Sequence, residues 1–361
     1  MTALTLARTL LRNEPTLPLK LTLIDKARNP GGRMTSRTYD GFDNVTLETG
    51  LRVFQASETP FKDEVRRWTG KQWVERVPDN VLKGVAGENQ GLEWHQAKGG
   101  VTSLVNHLVD EIKLAGKDQV AFHFNTTVTH PSPSSTGSDS LNLALDPAAN
   151  LEPIDLIVFT APVPQVDAFV SDDISIETNT EYAQTFVWLL PTTDLPPAAP
   201  IYHRNPDERL TSIATGMKGD QRTGIVLQAT PQQLGLVYDN EKTKDDDIKR
   251  AFLDVLKRAN GSLLSPELIE QIEGKKGRES QIKRWKFAQV KRALEVSKDG
   301  SGPTATSGDG QSRVWTFKDG KVLIAGDGTD TGLGGVQGAW LAGTEAAQKI
   351  SHWIISNNAR L

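Results

Sequence analysis

Leucine placement sets the first elements of the chain. Leu4, Leu6, Leu10 and Leu11 predict a helix over the first residues, ending near Asn13–Pro15. "TLPLKLTLID" then alternates Leu17, Leu19, Leu21 and Leu23 with Thr and Lys before Ile24, the period-two pattern of a strand ending at Asp25. "KARNPGGRMTSR" is rich in turn formers and holds a tight Gly31–Gly32 pair. "NVTLETGLRVF" predicts a second strand and a Gly turn, residues 61–69 a short helix, and "KQWVERV" a strand. In "WHQAKGGVTSLVNHLVDEIKLAG", apolar residues recur at Val101, Leu104, Val105, Leu108 and Ile112. That spacing predicts a helix after a turn, with Thr102 or Ser103 as its cap.

The middle of the chain is strand-rich. "QVAFHFNTTVTHP", the loop "SPSSTGSDS" and "LNLAL" predict a meander. "PIDLIVFTAPVPQV" contains the run Leu156 to Phe159, read as the most buried strand, of parallel-sheet character. "EYAQTFVWLLP", "RTGIVLQATP" and "SQIKRWKFAQV" are three more strands. "DDDIKRAFLDVLKRANG" is a helix with acidic residues first and basic ones last, as the helix dipole favours, closed by Gly261. "SKDGSGPTATSGDGQS" is a loop. "RVWTF", "KVLIAGDG", a Gly-rich loop and the helix "GGVQGAWLAGTEAAQKISHWII" end the chain. Helices and strands alternate near both ends, so an α/β nucleotide-type domain built from the two termini, with a β-rich domain inserted, is expected.

Composition narrows the function classes. At 361 residues one large or two medium domains are expected. The formal net charge of −4, with no basic run carrying interleaved aromatics, argues against a nucleic-acid binder. Cysteine is absent, which rules out disulfides, thiolate metal sites and a cofactor linked through Cys, and fits a reducing, cytoplasmic compartment. No apolar run approaches the roughly 18 residues of a membrane span, and no secretory signal pattern is visible. The six His show no ligand spacing, so no metal site is expected; His95, His107, His123 and His130 read as loop, helix-surface and strand-flanking residues. Asn44 and Asn125 match the glycosylation pattern by chance, and no G-x-S-x-G elbow occurs.

Two segments carry the candidate chemistry. "VLIAGDGTDTGLGGVQGAWLAGTEAA" joins a buried strand, the acidic Asp327, a glycine-rich loop and a helix with small residues at Gly335, Ala339, Gly343 and Ala347. That row gives the helix a flat side able to approach a sheet, and its N-terminus around Gly334, Gly335 and Val336 offers N–H groups to an electron-rich ligand atom. Read blandly, it is a turn before a packed terminal helix. In "LTLIDKARNPGGRMTSR", Asp25 stands where dinucleotide folds place a carboxylate for ribose hydroxyls, Gly31 and Gly32 allow close backbone approach, and Arg33 can neutralise a pyrophosphate. The bland alternative is a capping Asp, a turn and a surface Arg.

Together, "DKARNPGGRMTSR" and "GDG…GGVQGAWLAG" resemble the FAD-binding fold of the monoamine-oxidase superfamily, and within it the renalases. "DLIVFTAPVPQV", "KRWKFAQVKRAL" and "LETGLRVFQAS" add to the likeness, which extends over essentially the whole chain. The resemblance implies an N-terminally truncated Rossmann-like FAD domain over 1–60, 95–170 and 314–361, with a substrate domain over 61–94 and 171–313. It implies a noncovalent FAD, with the adenosine ribose at Asp25 and Lys26, and the pyrophosphate and flavin near Gly31, Gly32, Arg33 and Met34. An adenine contact falls at Val128, the ribityl end at Gly326 and Asp327, and the flavin pyrimidine edge at Gly334, Gly335 and Val336. Trp285 and Lys286 are the candidate catalytic, substrate-side residues; "IKRWKF" is alternatively an amphipathic strand with Lys outside.

The implied reaction is oxidation of dihydronicotinamide dinucleotide isomers with O2, giving NAD(P)+ and H2O2. A small molecule and O2 are the expected partners, with no nucleic acid and no membrane. Oxidation of a small amine is the alternative, and a flavoprotein homologue without catalysis a third. Two departures stand out. Leu51, Arg52 and Val53 replace the family's Ala-Gln-Tyr, putting a charge at Arg52 beside the implied flavin. The strand and G-x-G-x-x-G that open the family are absent from this sequence, and Met1–Thr2 fits the start of the helix after that loop. An upstream strand with Gly-x-Gly is therefore expected, and without it FAD binding is expected to be weak.

Overall fold

The computed structural model describes residues 1–14, 19–39, 45–83, 93–133, 141–148, 151, 153–170, 180–191, 202–218, 221–239, 242–259, 261–276, 280–293, 312–317, 321–329 and 335–358. In chain order its elements are α1 (Thr2–Asn13), β1 (Leu21–Asp25), β2 (Ser36–Tyr39), β3 (Val45–Glu48), β4 (Phe54–Gln55), α2 (Thr59–Gly70), β5 (Val74–Arg76), β6 (Leu82–Lys83), β7 (Trp94–Ala97) and α3 (Val101–Gly116). Then follow β8 (Val120–Phe124), β9 (Thr127–Pro133), β10 (Leu141–Asp146), β11 (Ile157–Phe159), α4 (Val163–Val170), β12 (Glu181–Pro191), β13 (Tyr202–Asp207), β14 (Leu210–Lys218) and β15 (Gln221–Ala229). The last are α5 (Asp245–Arg258), α6 (Pro266–Gln271), β16 (Gln281–Arg292), β17 (Val314–Phe317), β18 (Val322–Ala325) and α7 (Gly335–Asn358).

The chain forms two compact units. One comprises Met1–Gly32, Val105–Glu181 and Val290–Leu361, the other Arg33–Leu104 and Tyr182–Gln289. The α/β part is thus assembled from both ends around a β-rich insert, as the alternation of elements suggests. The boundaries differ from the expected ones: 33–60 and 95–104 fall in the β-rich unit, and 171–181 and 290–313 in the α/β unit.

In the α/β unit, β1 pairs in parallel with β8, matching Leu21 to Val120 through Asp25 to Phe124. A separate three-stranded sheet has the order β11-β18-β17, parallel between β11 and β18 and antiparallel between β17 and β18. β9 and β10 form a hairpin. Both parallel sheets rest on the helix pair α1 and α7. Leu6 and Leu10 of α1, Ala342, Ala346, Ala347 and Ile350 of α7, and Val314, Leu323 and Ala325 share one apolar cluster, to which Leu21, Leu156 and Val158 add. Within the small-residue row of α7, Ala347 packs in this cluster with the sheet residues Val314, Leu323 and Ala325, and Gly343 lets α1 approach closely. A Cβ at Gly343 would lie 2.5 Å from the Thr2 carbonyl oxygen and 3.0 Å from Thr5 Cβ.

The run 156–159 is less buried than its composition suggests. Ile157 is buried while Val158 and Phe159 are half-buried: among the described residues β11 is an edge strand paired on one side, with β18. The most enclosed strands are β18, buried at all four positions, and β12.

In the β-rich unit, a six-stranded sheet has the order β16-β12-β15-β14-β13-β6. β12 is buried on both faces, which explains its unbroken apolar run. Phe186, Trp188 and Leu190 pack with Phe252, Val255 and Leu256 of α5 and Leu268 and Ile269 of α6. Val187 and Leu189 face the opposite way, toward Tyr39, Val45 and Leu47. α5 carries Asp245, Asp246 and Asp247 in its first turn and Lys257 and Arg258 in its last, as its dipole favours. The β13–β14 hairpin and α6 were not anticipated from sequence. β13 carries Arg204, Asn205 and Asp207, with Asn205 at φ +45°, and so lacks a clear period-two pattern. The loops 134–140 and 294–311 lie outside the described residues.

The helix crossing yields a prediction. Gly343→Ala should destabilise the protein by about 1–3 kcal/mol, because overpacking against Thr2 outweighs the helix propensity gain. Gly70→Ala, where an added Cβ meets nothing within 4 Å, should be neutral or slightly stabilising. Urea unfolding of the two variants checks the contrast.

Candidate functional site

In the α/β unit the acidic residues stand at the carboxyl ends of parallel strands. Asp25 closes β1, and its Oδ1 accepts from Ala27 N at 2.9 Å, fixing the turn that follows. Thr126 N donates to the Asp25 carbonyl at 3.1 Å, tying the same turn to the β8–β9 connection. Among the described residues Oδ2 carries no hydrogen bond, so one carboxylate oxygen remains for a ligand hydroxyl. Lys26 is exposed; Val128 lies half-buried in β9, opposite Leu145. Gly31 and Gly32 have φ +127° and +56°, values that favour glycine.

At the other end of this unit, β18 runs into Gly326 and the buried Asp327, which opens a short turn to Thr329. The Thr329 hydroxyl accepts from Gly326 N at 3.1 Å and lies 2.8 Å from the Gly326 carbonyl. A Cβ at Gly326 would meet Thr160 O at 3.7 Å, an ordinary contact. The chain itself does not demand glycine there. α7 begins at the exposed Gly335, φ +59°, and the buried Val336; Gly334 lies outside the described residues. Further along α7, Glu345 Oε1 accepts from Ser312 Oγ at 2.7 Å, Glu345 Oε2 from Arg313 N at 3.1 Å, and Lys349 Nζ donates to the Val314 carbonyl at 3.0 Å. This brace, which fixes the start of β17, was missed in the sequence. Its only signal there is an i, i+4 Glu–Lys pair.

These residues fit FAD. The donor set offers a free carboxylate oxygen for a ribose, a buried acid beside an open glycine, and α1, whose N-terminus has no side-chain cap on its first N–H groups.

In the β-rich unit, Arg33, Arg52 and Trp285 converge on one segment. The Arg33 carbonyl accepts from Leu51 N at 3.2 Å, and a Cβ at Gly50 would fall 2.1 Å from that carbonyl oxygen. Only glycine permits this approach, which explains the glycine of "LETGLRVF". Thr49 N donates to the Thr35 carbonyl at 3.0 Å, and the Trp285 indole N–H donates to the Thr49 carbonyl at 2.8 Å. Arg33 Nη1 donates to the Ala288 carbonyl at 2.8 Å, so its guanidinium clamps β16. Met34 is buried.

Arg52 does not face solvent. It pairs with Glu48, Nη1 to Oε1 at 2.9 Å, with both side chains buried. Glu48 was not singled out in the sequence, although its spacing to Arg52 is i, i+4. Trp285 is half-buried with Lys283 Nζ 4.9 Å from its ring centroid. Lys286 is exposed, with Nζ 5.5 Å from the Phe287 ring centroid. Thr102 does not cap α3: its Oγ1 accepts from Ser36 N at 2.9 Å and donates to Ser36 Oγ at 3.1 Å.

His95 is buried in β7 beside Phe54, ring centroids 5.9 Å apart. Its Nδ1 is buried without a partner. Burial pushes its pKa down, opposed by Glu93 and reinforced by Arg76.

A Rossmann-like nucleotide unit with carboxylates at its strand ends, interrupted by a β-rich unit, defines an FAD-dependent oxidoreductase. Residues 1–68 match the NAD(P)-binding Rossmann-like domain, and residues 68–351 match the flavin containing amine oxidoreductases. The chain belongs to the flavin containing amine oxidoreductase family. Solved structures of the same fold include a protein from Exiguobacterium sp. 255-15, provisionally described as a protoporphyrinogen oxidase (12% identity, 96% of each chain, TM-score 0.63). Others are an oxidoreductase from Methanosarcina mazei (12% identity, 96% of this chain and 97% of that one, TM-score 0.57) and a redesigned triple mutant of putrescine oxidase (11% identity, 96% of each chain, TM-score 0.56). No curated protein matches the chain. Among the described residues no helix is long and apolar enough to cross a membrane, and no cluster of three or more His, Asp or Glu suits a metal ion.

Two outcomes are expected. Trp285→Phe keeps the ring but strands the Thr49 carbonyl, and should cost about 1–2 kcal/mol in urea unfolding. For His95 the folded pKa lies below the unfolded value, so its contribution is full above about pH 6.5 and is lost as pH falls through the folded pKa. Stability measured between pH 7.5 and 5 should decline on acidification, and His95→Leu should decline less.

Proposed function

We propose that this enzyme is a renalase-like oxidase of dihydronicotinamide dinucleotide isomers, with the overall reaction NAD(P)H isomer + O2 + H+ → NAD(P)+ + H2O2. When bound, FAD supplies a two-electron acceptor that O2 re-oxidises. Asp25 would hold the adenosine ribose through Oδ2, with Lys26 and the Val128 backbone on the adenosine side. The N-terminus of α1, Gly31, Gly32, Arg33 and Met34 would serve the pyrophosphate and flavin. Gly326 and Asp327 would hold the ribityl end, and Gly334, Gly335 and Val336 the pyrimidine edge of the ring.

The observation that carries the substrate is the buried Arg52. The resemblance sets residues 48–54 beside the flavin, and a buried, charge-balanced Glu48–Arg52 pair there suits a polar but uncharged group such as that carried by a dihydronicotinamide ring. Trp285, anchored to Thr49, shapes the wall next to that segment. Lys286, whose ammonium lies over the Phe287 ring, would stand on the substrate side. Hydride transfer needs no acid–base residue, so the chain's work is to bind, orient and exclude water. The absence of cysteine supports a reducing, cytoplasmic setting.

Family membership favours a second reading, oxidation of a small amine. One experiment separates the two. Under anaerobic conditions the flavin absorbance near about 450 nm should bleach with dihydronicotinamide isomers and persist with small amines. Bleaching by amines alone overturns the proposal. Asp25→Ala should weaken FAD binding by about tenfold or more, read by equilibrium titration, since a hydrogen bond to a charged group is worth about 1.5–3 kcal/mol.

A further inference from the structure

Residues 48–52 carry hydrogen-bonding capacity that the fold does not use. Glu48 and Arg52 are joined by one contact, Nη1 to Oε1, and their side chains are 5% and 6% exposed. Three other polar atoms of the pair are shielded from solvent and make no hydrogen bond: Arg52 Nε, Arg52 Nη2 and Glu48 Oε2. Burying two charges is repaid only when their remaining donors and acceptors are satisfied, so a pair bridged once is a costly way to build a core. Gly100 and Ser36 form one closely packed wall beside it. Gly100 has φ +88°, and a Cβ there would come 3.1 Å from Glu48 Oε1 and 3.4 Å from Ser36 Oγ. Ser36 is pinned by Thr102, so this wall is set by the fold.

An unpaired donor and an unpaired acceptor tied together by one bridge match a primary carboxamide. Its carbonyl oxygen accepts from the guanidinium, and its NH2 donates to the carboxylate. A carboxylate ligand is repelled by Glu48, an ammonium by Arg52, and a ketone engages only the donor side. We infer that Glu48 and Arg52 form a carboxamide-recognition site that holds a dihydropyridine through its ring carboxamide. The identity of the substrate rests on the function proposed above; the structure adds the group by which it is held. The three atoms are shielded from solvent, so the amide reaches them only as the covering groups move aside.

The test uses the FAD-loaded enzyme. Anaerobic flavin reduction is compared for dihydronicotinamide dinucleotide isomers and for their 3-acetylpyridine counterparts, which lack the NH2 donor. Thermal shifts with benzamide and with acetophenone give a readout independent of turnover. Wild type should favour the carboxamide substrate by about tenfold or more in kcat/KM, and benzamide alone should raise its Tm. In Glu48→Leu/Arg52→Met, an apolar replacement of the kind buried pairs tolerate, the preference should fall to within about twofold and the benzamide shift should vanish. Equal preference in this variant and wild type overturns the inference while leaving the proposed function standing. Reduction of wild type by amines but by neither dihydropyridine overturns both. Should the double variant fail to retain FAD, Glu48→Gln decides: it should lose the benzamide shift, and an unchanged shift overturns the inference.

Discussion

The α/β unit depends on the crossing of α1 and α7 at Gly343. Among the described residues its parallel strands do not form one continuous ladder: β1 pairs only with β8, and β11 and β17 bound a separate sheet. Backbone hydrogen bonds therefore cannot unite the two halves. Their common support is the apolar surface of the helix pair, where Leu6 and Leu10 meet Ala342, Ala346 and Ala347, and where Leu21 of one sheet and Leu323 of the other are both seated. Close approach is possible because α7 presents small residues, and at Gly343 no side chain at all, to the first turn of α1. The carboxylates at the ends of β1 and β18 inherit their positions from that packing.

A comparable constraint organises the β-rich unit at its first residues. The contact between Gly50 and the Arg33 carbonyl leaves no room for a Cβ, and around it Thr35, Thr49 and the indole of Trp285 exchange backbone-directed hydrogen bonds. Arg33, a candidate ligand for phosphate, spends one guanidinium nitrogen on the Ala288 carbonyl. Trp285 likewise packs its ring near Tyr39, Val45 and Leu47 while its N–H holds Thr49. Both residues act on residues 49–52 by fixing its backbone. This is a positioning role, and it is compatible with a binding role for the segment they fix.

Much of the architecture was legible because it follows from period. The leucines of α1, the alternation before Asp25, the i, i+3, i+4 spacing of α3 and the charge-graded α5 all announce their elements. That Asp25 and Asp327 stand at the ends of strands was legible as well, since strand-then-acid-then-glycine is a local pattern. What sequence hid were partnerships between distant residues. The row Gly335, Ala339, Gly343 and Ala347 advertises a flat helix face, yet that Gly343 meets α1, more than 300 positions away, is not written in it. The run 156–159 reads as buried, but its exposure is set by how many strands flank it, which composition does not encode. Thr102 looked like a helix cap and instead serves Ser36, because β2 passes within reach.

The same reasoning explains how 11–12% identity coexists with a shared fold over nearly the whole chain. The positions that define this fold are constrained by what they must leave out as much as by what they contribute. Gly50 and Gly343 are required because another backbone occupies the space, and any sequence that supplies the gap and a compatible apolar face satisfies the rest. Chemistry is free to vary where the backbone is already held by other means. Residues 49 and 51 are fixed through their main-chain atoms, so the side chain at 52 is not needed to hold the segment. A buried Glu48–Arg52 pair with three unsatisfied polar atoms is therefore poorly explained as a stabilising device: an apolar pair would pack there at lower desolvation cost. Its cost is understandable if the unmatched donor and acceptor are matched by a ligand, on a segment whose backbone is already held by Arg33 and Trp285.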